Sequence, residues 1–156
     1  MNNLKQFYEQ DALREIPEST RRIEELRYRM LISKVPKESK KVLNVGCGNG
    51  ELICILAEEG HECVAFDLSK NRLAKFMNMA KKLDVAQIQG DATNIPLQNL
   101  SIDVIMCSEV LEHIKDYEKV LKQMNRILKP HGRIVVSVPS KVSYEEELME
   151  IGFYEG

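Results

Sequence analysis

The sequence predicts an α/β fold, a doubly wound and mostly parallel sheet with helices on both faces, and two observations support this prediction. Apolar runs typical of strands alternate with segments of helical periodicity, which is the pattern of successive βαβ units. The runs are apolar throughout instead of at every second residue, as in strands that are covered on both faces. Crossovers between parallel strands are right-handed, so the most economical order of the five strands is 3-2-1-4-5.

The chain begins with an N-terminal helical segment, residues 1–40. Within it, Pro17 to Ser33 is predicted to form a helix, because apolar residues recur there at helical spacing. The stripe predicted to face the core consists of Ile23, Leu26 and Met30.

The core, residues 41–140, is predicted to open with two strands and the helix between them. Lys41 to Val45 and Cys63 to Phe66 are short apolar runs of strand length. Glu51 to Glu59 is a predicted helix that ends at Gly60, since glycine readily takes the left-handed conformation that follows a helix.

A second core helix is predicted to begin after Ser69, whose hydroxyl can cap the first turn. Val85 to Gln89 follows as a weaker third strand, and Asp103 to Cys107 is a strong fourth. The apolar residues of the helix repeat at helical spacing and are predicted to face inward: Leu73, Phe76, Met77, Ala80 and Leu83.

Asp116 is predicted to cap the last core helix, and Pro130 and Gly132 are predicted to end it. Arg133 to Val138 is the fifth strand, and residues 141–156 are predicted to add a short C-terminal helix. The predicted inward residues of the last core helix are Val120, Leu121, Met124, Ile127 and Leu128.

Length and composition fit a single domain, residues 1–156, with a core of its own. Apolar residues make up 44% and charged residues 29% of the chain, which argues against disorder. The net charge of -2 supplies no overall field for nucleic acid or membrane, so neither is an expected partner. No segment resembles a signal peptide or a bilayer span, and the four cysteines lack metal-ligand spacing. These features indicate a cytoplasmic protein with reduced packing cysteines.

The stretch VLNVGCGNG, residues 42–50, places three glycines directly after the first strand. Gly46 permits a tight turn, Gly48 lets a ligand lie against bare backbone, and Gly50 opens the next helix without a side chain in the way. Asp67 ends the second strand, where a carboxylate can accept hydrogen bonds from both hydroxyls of a ribose. Ligands of such sheets bind beyond the carboxyl ends of the strands, at the switch point between the first and fourth. The pattern therefore predicts an adenosine-containing ligand.

A nicotinamide-dependent dehydrogenase is one alternative, but the glycine spacing disfavours it. Dinucleotide sites favour GxGxxG, whereas this loop is GxGxG and has Glu51 in the place of the third glycine. A carboxylate near the helix N-terminus would repel a pyrophosphate and is better tolerated by a ligand that carries positive charge.

Four stretches of the chain carry a family resemblance: VLNVGCGNG, AFDLS, IQGDATNIPLQNLSIDVIMCSEVLEHIKD and VLKQMNRILKPHGRIVVSVPS. Together, from Val42 to Ser140, they resemble class I S-adenosylmethionine-dependent methyltransferases, most nearly the branch of ubiquinone and menaquinone biosynthesis enzymes. The resemblance implies a Rossmann-like fold and S-adenosyl-L-methionine as cofactor. It also implies transfer of a methyl group to an O, N or C atom of a small molecule.

The resemblance assigns cofactor contacts along the strand ends. Asp67 would hold the ribose and Leu68 would pack on the adenine. Asp91 would accept a hydrogen bond from the adenine amine, and the backbone N–H of Ala92 would meet a ring nitrogen. The residues that would border the methionine part are Gly46, Cys47, Gly48, Gly50, Ser108 and Glu109.

Asn44 departs from the pattern of this family, which usually has an acidic residue there to orient the amino group of the cofactor. Asparagine can accept a hydrogen bond but lacks the charge, a loss of about 1 kcal/mol. Weaker cofactor binding is the expected consequence.

Catalysis of methyl transfer mainly requires alignment of the acceptor with the methyl group. Glu109 and His113 are the candidate catalytic residues, as a base for an acceptor that must lose a proton. With Glu112 they form an ExxEH cluster, which on one helical face could bind a divalent ion, as in metal-dependent RNA 2′-O-methyltransferases. The same letters occur in relatives without a metal, so no metal ligand is assigned.

Three residues outside these motifs also have predicted positions. Tyr8, in LKQFYEQ, is a candidate to fold over the cofactor, or else a packed terminal residue. His61 and His131 lie in turns beside glycines, where surface positions are expected.

Class I methyltransferases usually have a sixth and a seventh strand, which this sequence lacks, so it resembles a C-terminally truncated member. A further alternative is therefore a cofactor-binding subunit or fragment that is inactive alone. The fifth strand, residues 133–138, would have an unpaired apolar edge. Such an edge is expected to recruit a second copy of the chain or another partner.

Overall fold

The computed structural model describes residues 18–38 and 40–139, so Tyr8 and the helix predicted within 141–156 lie outside the described residues. In chain order the elements are α1 (Glu18–Ile32), β1 (Lys41–Val45), α2 (Glu51–Glu58), β2 (Glu62–Asp67), α3 (Lys70–Met79), β3 (Val85–Gln89), β4 (Ile102–Ser108), a 3-10 turn (Leu111–His113), α4 (Tyr117–Ile127) and β5 (Leu128–Ser137). The predicted alternation of strands and helices is confirmed.

The strands of the described residues form one parallel sheet in the predicted order, β3-β2-β1-β4-β5. β1 is central, and Asn44 lies in register between Ala65 of β2 and Met106 of β4. The carboxyl ends of β1 and β4 therefore meet at one edge of the sheet, at the point where the direction of winding reverses.

Two apolar clusters cover the two faces of this sheet. α1, α2 and α3 pack on one face, where the buried residues include Leu31, Val42, Leu52, Ile53, Leu56, Leu73 and Phe76. α4 and the segment that precedes β4 pack on the other, with Leu43, Phe66, Ile95, Ile105, Val120, Met124 and Ile127. Across the described ranges, no helix combines the length and apolar character needed to cross a membrane.

The inward face of α1 differs from the prediction. Leu26 is 57% and Met30 70% exposed, whereas Leu31 is buried and Tyr28 packs against the same cluster. The side chain of Ile23 lies outside the described part of the structure. α1 has two adjacent apolar stripes, and periodicity cannot choose between them, because the choice depends on how the helix sits against α2.

Two further residues predicted to face inward are exposed, Met77 of α3 and Leu121 of α4. Their neighbours Phe76 and Val120 are fully buried. One turn of each helix thus carries an apolar residue at the flank of the buried stripe, where side chains remain accessible to water.

The junction between α4 and β5 is shorter than predicted. α4 ends at Ile127 and β5 begins at the next residue, so Pro130 and Gly132 do not end the helix but lie within the strand. They belong to an irregular stretch, in which Leu128 pairs with Ile102 but Arg133 already pairs with Val104.

The predicted roles of Asp116 as a capping side chain and of His61 as a surface residue are wrong. Asp116 occupies the N-cap of α4, but its side chain makes no capping bond and instead accepts from Lys119 Nζ at 2.7 Å. His61 is buried, and its Nδ1 accepts the N–H of Lys40 at 3.2 Å, because the turn folds back against β1. His131 is exposed, as predicted.

Candidate functional site

The glycine loop leaves the carboxyl end of β1 in a left-handed path. Gly46 and Gly50 have φ of 70° and 87°. A β-carbon on Gly46 would overlap Val110, and one on Gly50 would overlap the buried ring of Phe76. These two glycines are therefore required by internal packing, and for Gly50 this replaces the predicted reason, an unobstructed start of the helix.

Gly48 is the open position of the loop. The nearest atom to a β-carbon built there is Arg72 Nη1 at 3.6 Å, an ordinary contact distance. Its N–H donates to Asp67 Oδ2 at 2.9 Å, and Asp67 Oδ1 accepts the N–H of Ser69 at 2.8 Å. Asp67 is only 5% exposed. The carboxylate thus joins the glycine loop to the start of α3, and the structure brings Gly48 and Asp67 together as the sequence predicts.

A second loop follows β3 and lies beside the end of β2, since Gly90 N–H donates to the Asp67 carbonyl at 3.0 Å. Asp91 Oδ1 accepts both the N–H and the hydroxyl of Thr93, each at 2.8 Å. Its other carboxylate oxygen has no hydrogen-bond partner among the described residues. Ala92 is buried and Leu68 is half-buried. Asp91 therefore caps its own loop with one oxygen and keeps the other available.

The carboxyl end of β4 carries a chain of polar groups. Ser137 Oγ donates to Glu109 Oε1 at 2.8 Å and lies 2.8 Å from Ser108 Oγ. Because the single Ser137 hydrogen goes to the carboxylate, Ser108 is the donor to Ser137. Glu109 has φ of 54°, its N–H donates to the Ser137 carbonyl at 3.0 Å, and its Oε2 lies 3.7 Å from Arg27 Nη1.

Comparison with known proteins identifies the family of this site. A family model described as "Methyltransferase domain" matches residues 43–136. These residues include the glycine loop, the loops that follow β2 and β3, and the end of β4. The chain belongs to the methyltransferase domain family.

This chain matches only part of the length of individual family members. Demethylmenaquinone methyltransferase of Corynebacterium glutamicum is 36% identical over 101 residues, which are 65% of this chain and 42% of that protein. Norajmaline N-methyltransferase of Rauvolfia serpentina is 29% identical over 118 residues, which are 72% of this chain and 40% of that protein. The chain therefore spans about two fifths of the length of these curated relatives.

A solved structure agrees with the fold of this methyltransferase domain. The PH0226 protein of Pyrococcus horikoshii OT3 superposes with a TM-score of 0.74 at 26% identity. The match covers 88% of this chain and 63% of that one.

The ExxEH cluster of this domain does not form the arrangement predicted for it. Glu109 has a left-handed backbone and precedes the 3-10 turn, so it does not share a helical face with Glu112 and His113. His113 Nε2 lies 3.6 Å from Glu112 Oε1, whereas Glu109 is directed to Ser137 and Arg27. Within the described ranges, no three His, Cys, Asp or Glu side chains are grouped closely enough to hold one metal ion.

The cysteines of the domain are packing residues. Cys47 is buried at the glycine loop, where burial, and after it the Asp67 carboxylate, raises the pKa of its thiol far above the ordinary value. Burial likewise raises the pKa of Cys63 and of Cys107 to about 12. These thiols stay protonated near neutral pH, which excludes them as thiolate nucleophiles. Cys47 thus lies at the predicted site as a neutral group.

Three residues at the site were missed by sequence reasoning: Arg27, Arg126 and Ser137. Ser137 could have been found, because it ends β5 at the edge where Ser108 ends β4. Arg27 and Arg126 lie on helices whose polar faces carry several charged residues, and no sequence signal separates them from the others.

Arg126 holds the loop that leads from Asp91 to β4. Its Nη1 donates to the carbonyl of Leu97 and the side chain of Asn99, at 2.8 and 2.7 Å, and its Nη2 donates to the carbonyl of Ile95 at 2.7 Å. The guanidinium also donates twice to Gln123. One side chain of α4 therefore donates to two backbone carbonyls and one side-chain oxygen of a loop that has no regular structure.

Proposed function

We propose that this chain is the cofactor-binding part of an S-adenosylmethionine-dependent methyltransferase that methylates an O, N or C atom of a small molecule. The observation that supports this most is the pair formed by Gly48 and Asp67. An open glycine and a buried carboxylate meet at the carboxyl ends of β1 and β2, on the edge of a parallel sheet where such folds bind nucleosides.

The residues present fit an adenosine ligand with an amino-acid end. The oxygens of the Asp67 carboxylate accept the N–H groups of Gly48 and Ser69, and a carboxylate oxygen can accept more than one hydrogen bond, here also from a ribose hydroxyl. Asp91 keeps one oxygen for the adenine amine, and Leu68 and Ala92 supply an apolar surface beside it. We infer that the ribose and adenine lie along the ends of β2 and β3.

The methionine part would then lie across the glycine loop toward Ser108 and Glu109. Gly46, Cys47 and Gly50 shape this loop, and Gly48 offers its open backbone. Asn44 is buried in β1 below the loop and contributes no charge. Two carboxylates that could balance the ammonium group of that end are Glu51, in the first turn of α2, and Glu109.

The cofactor supplies a methyl group on a sulfonium with a good leaving group, and the chain supplies orientation. Glu109 is proposed as the base for an acceptor that must lose a proton, because its carboxylate is held in place by Ser137. His113, whose side chain is 49% exposed, is proposed as the second candidate.

We infer that this chain is part of a longer protein, and that the whole protein determines which methyl acceptor is bound. The matched relatives are named for demethylmenaquinone and for the nitrogen of norajmaline. These names support a small-molecule acceptor without selecting its reacting atom. We further infer one domain over residues 1–156 and a cytoplasmic location, since the four cysteines are free and a reducing compartment keeps them so.

Titration calorimetry with S-adenosylhomocysteine and with NAD tests the cofactor assignment. The chain is expected to bind S-adenosylhomocysteine and not NAD. Asp67→Ala should weaken S-adenosylhomocysteine binding about 10- to 150-fold, because it removes charge-assisted hydrogen bonds worth roughly 1.5–3 kcal/mol. Asp84→Ala, at an exposed carboxylate before β3, is the matched control and should bind like the wild type. Binding of NAD alone would contradict the proposal.

We also propose that the outer edge of β5 is a contact surface for a second copy or for the rest of a longer protein. β5 is an edge strand of the described sheet. Its residues Ile134 and Val136 are 36% and 40% exposed, and Val138, which follows the strand, is 54% exposed. Apolar edges of this kind pair with other strands unless they are covered.

Sedimentation velocity tests this contact. Ile134→Lys with Val136→Lys should reduce self-association, whereas Met77→Lys, at an exposed apolar residue of α3, should not. A wild-type chain that stays monomeric at high concentration would reject pairing between copies.

A further inference from the structure

An apolar surface, which we call the α4–β5 patch, is left partly exposed on the face of the sheet that carries α4. Along β5, Ile134 and Val136 pair in register with Ile105 and Cys107 of β4, and both β4 residues belong to the cluster beneath α4. Residues in register share a face of a parallel sheet. Ile134 and Val136, which are 36% and 40% exposed, therefore point to the side on which α4 lies.

α4 contributes the second half of this surface. Tyr117 and Leu121 are 48% and 39% exposed and lie one helical turn apart. The opposite flank of α4 carries Arg126, which holds the loop that comes from β3, and β3 is at the far end of the sheet from β5. The flank with Tyr117 and Leu121 is therefore turned toward β5, with which α4 is in contact. The α4–β5 patch consists of Tyr117, Leu121, Ile134 and Val136.

Residues 138–156 follow β5 in the sequence, and a helix is predicted within them. Ser143 and Glu146 have the spacing of a capping box, and Gly152 is placed to end the helix, so residues 144–151 are its predicted body. One side of this helix is apolar, and the other side carries glutamates. The apolar side consists of the residues at positions i, i+4 and i+7: Tyr144, Leu148 and Ile151.

Chain direction and length bring this segment to the patch. Crossover connections are right-handed, so a helix that continues the winding beyond β5 lies on the same face of the sheet as α4. The connection of residues 138–143 can span up to about 20 Å. A helix over residues 144–151 is about 12 Å long, and residues 134–138 extend over about 13 Å along the strand direction. The helix therefore matches the length of the surface that it would cover.

We propose that residues 144–151 of this chain bind the α4–β5 patch as a helix, with their apolar side against Leu121, Ile134 and Val136. The glutamates of the segment then face water. Binding of this helix does not require the cofactor, so the proposal is independent of the proposed function. The backbone groups on the outer edge of β5 stay accessible, because a helix on the face of a sheet does not pair with its edge. A second copy of the chain is the competing occupant of the patch.

Tryptophan fluorescence tests this contact, because the chain contains no tryptophan. In the full chain, Leu148→Trp places a single indole on the apolar side of the segment. Met149→Trp places one on the side that carries the glutamates and is the matched control. Leu148→Trp is expected to emit at a shorter wavelength than the same chain unfolded in urea, because its indole is removed from water. Met149→Trp should emit at nearly the wavelength of the unfolded chain.

Substitutions in the patch provide the second half of the test. Val136→Lys or Leu121→Lys, each added to Leu148→Trp, should move the emission to the wavelength of Met149→Trp. Met77→Lys, at an exposed apolar residue on the other face of the sheet, should leave the emission unchanged. The emission of Leu148→Trp should not depend on protein concentration. Circular dichroism checks that each variant is folded.

Three results would overturn the proposal. Equal emission of Leu148→Trp and Met149→Trp would show that the segment does not bind through its apolar side. A shift that survives the lysine substitutions would place the segment elsewhere on the molecule. A shift that appears only as the protein concentration rises would assign the patch to a second copy. If Leu148→Trp does not fold, Ile151→Trp on the same apolar side gives the same readout, and Leu121→Lys serves if Val136→Lys does not fold.

Discussion

The glycine loop offers a comparison in which one substitution, glycine to alanine, should have different consequences two residues apart. Gly50→Ala places a methyl group in the space of the Phe76 ring, which is fully buried. Gly48→Ala places it 3.6 Å from the end of the Arg72 side chain. Both glycines have positive φ, 57° at Gly48 and 87° at Gly50, so the backbone cost applies to both variants.

The expected loss of stability follows from these two contributions. A left-handed alanine costs roughly 1–2 kcal/mol, and displacement of a packed core side chain costs about 1–3 kcal/mol more. Gly48→Ala should therefore lower the free energy of unfolding by about 1–2 kcal/mol and Gly50→Ala by about 2–5 kcal/mol. The second value is a large part of the stability of an ordinary domain.

Urea denaturation measures the two free energies, and titration with S-adenosylhomocysteine measures the ligand affinity of the folded variants. Gly48→Ala should lose more affinity than Gly50→Ala, because its methyl group lies on the open surface where the ligand is proposed to bind. Equal destabilisation by both substitutions, or a larger loss at Gly48, would refute the packing argument. Normal affinity of Gly48→Ala would mean that the loop is only a turn.

Two further predictions concern polar contacts away from the glycine loop. Burial alone would raise the pKa of Asp103, but the N–H of Lys41 and the ammonium of Lys129 outweigh it and lower that pKa. The ionised Asp103 carboxylate therefore stabilises the folded chain above pH of about 4, and this stabilisation is lost as the pH falls further. Lys129→Met should make the free energy of unfolding depend less on pH in this acid range. Arg126→Met should cost about 2–4 kcal/mol in urea denaturation, since it removes the hydrogen bonds to three acceptors of its loop, and should speed hydrogen exchange across residues 95–101.

Exposed residues provide the controls for both predictions. Lys122→Met removes an exposed ammonium of α4 and should change neither the acid dependence nor the exchange of the loop. An acid profile that Lys129→Met leaves unaltered would show that its pairing with Asp103 contributes nothing to stability. Unchanged exchange in Arg126→Met would show that the loop keeps its shape without the guanidinium.

Much of the fold could be predicted because the positions of the strands can be recognised from the sequence pattern. Lys41–Val45 and Val85–Gln89 have the bounds that were predicted, since each is a short segment with several apolar residues that stops directly before a glycine. The face of α1 could not be predicted, because Leu26 and Leu31 are equally apolar and only the packing partner decides between them.

The candidate site likewise contains residues that a local pattern predicts and residues whose contacts depend on how distant segments pack. Gly48 and Asp67 are set by local chain chemistry at strand ends, so the sequence could place them together. The contacts of Glu109 with Ser137 and Arg27 join residues from three distant parts of the chain. Such contacts depend on the register of β5 against β4 and on the position of α1, and neither is encoded in a local pattern.

The central position of β1 bears on how this chain is assembled during synthesis. β1 emerges from the ribosome first among the strands, yet one of its two neighbours is β4, which comes from the far half of the core. Until β4 has left the exit tunnel, a nascent chain can build only the half-sheet β3-β2-β1. In that half-sheet β1, whose residues 42–45 are buried in the complete fold, lies at the edge. Parallel pairing over such sequence distances closes slowly and leaves apolar edges exposed meanwhile. We therefore expect chaperone dependence to fall sharply once β4, which ends at Ser108, has left the exit tunnel, and to change little before that point.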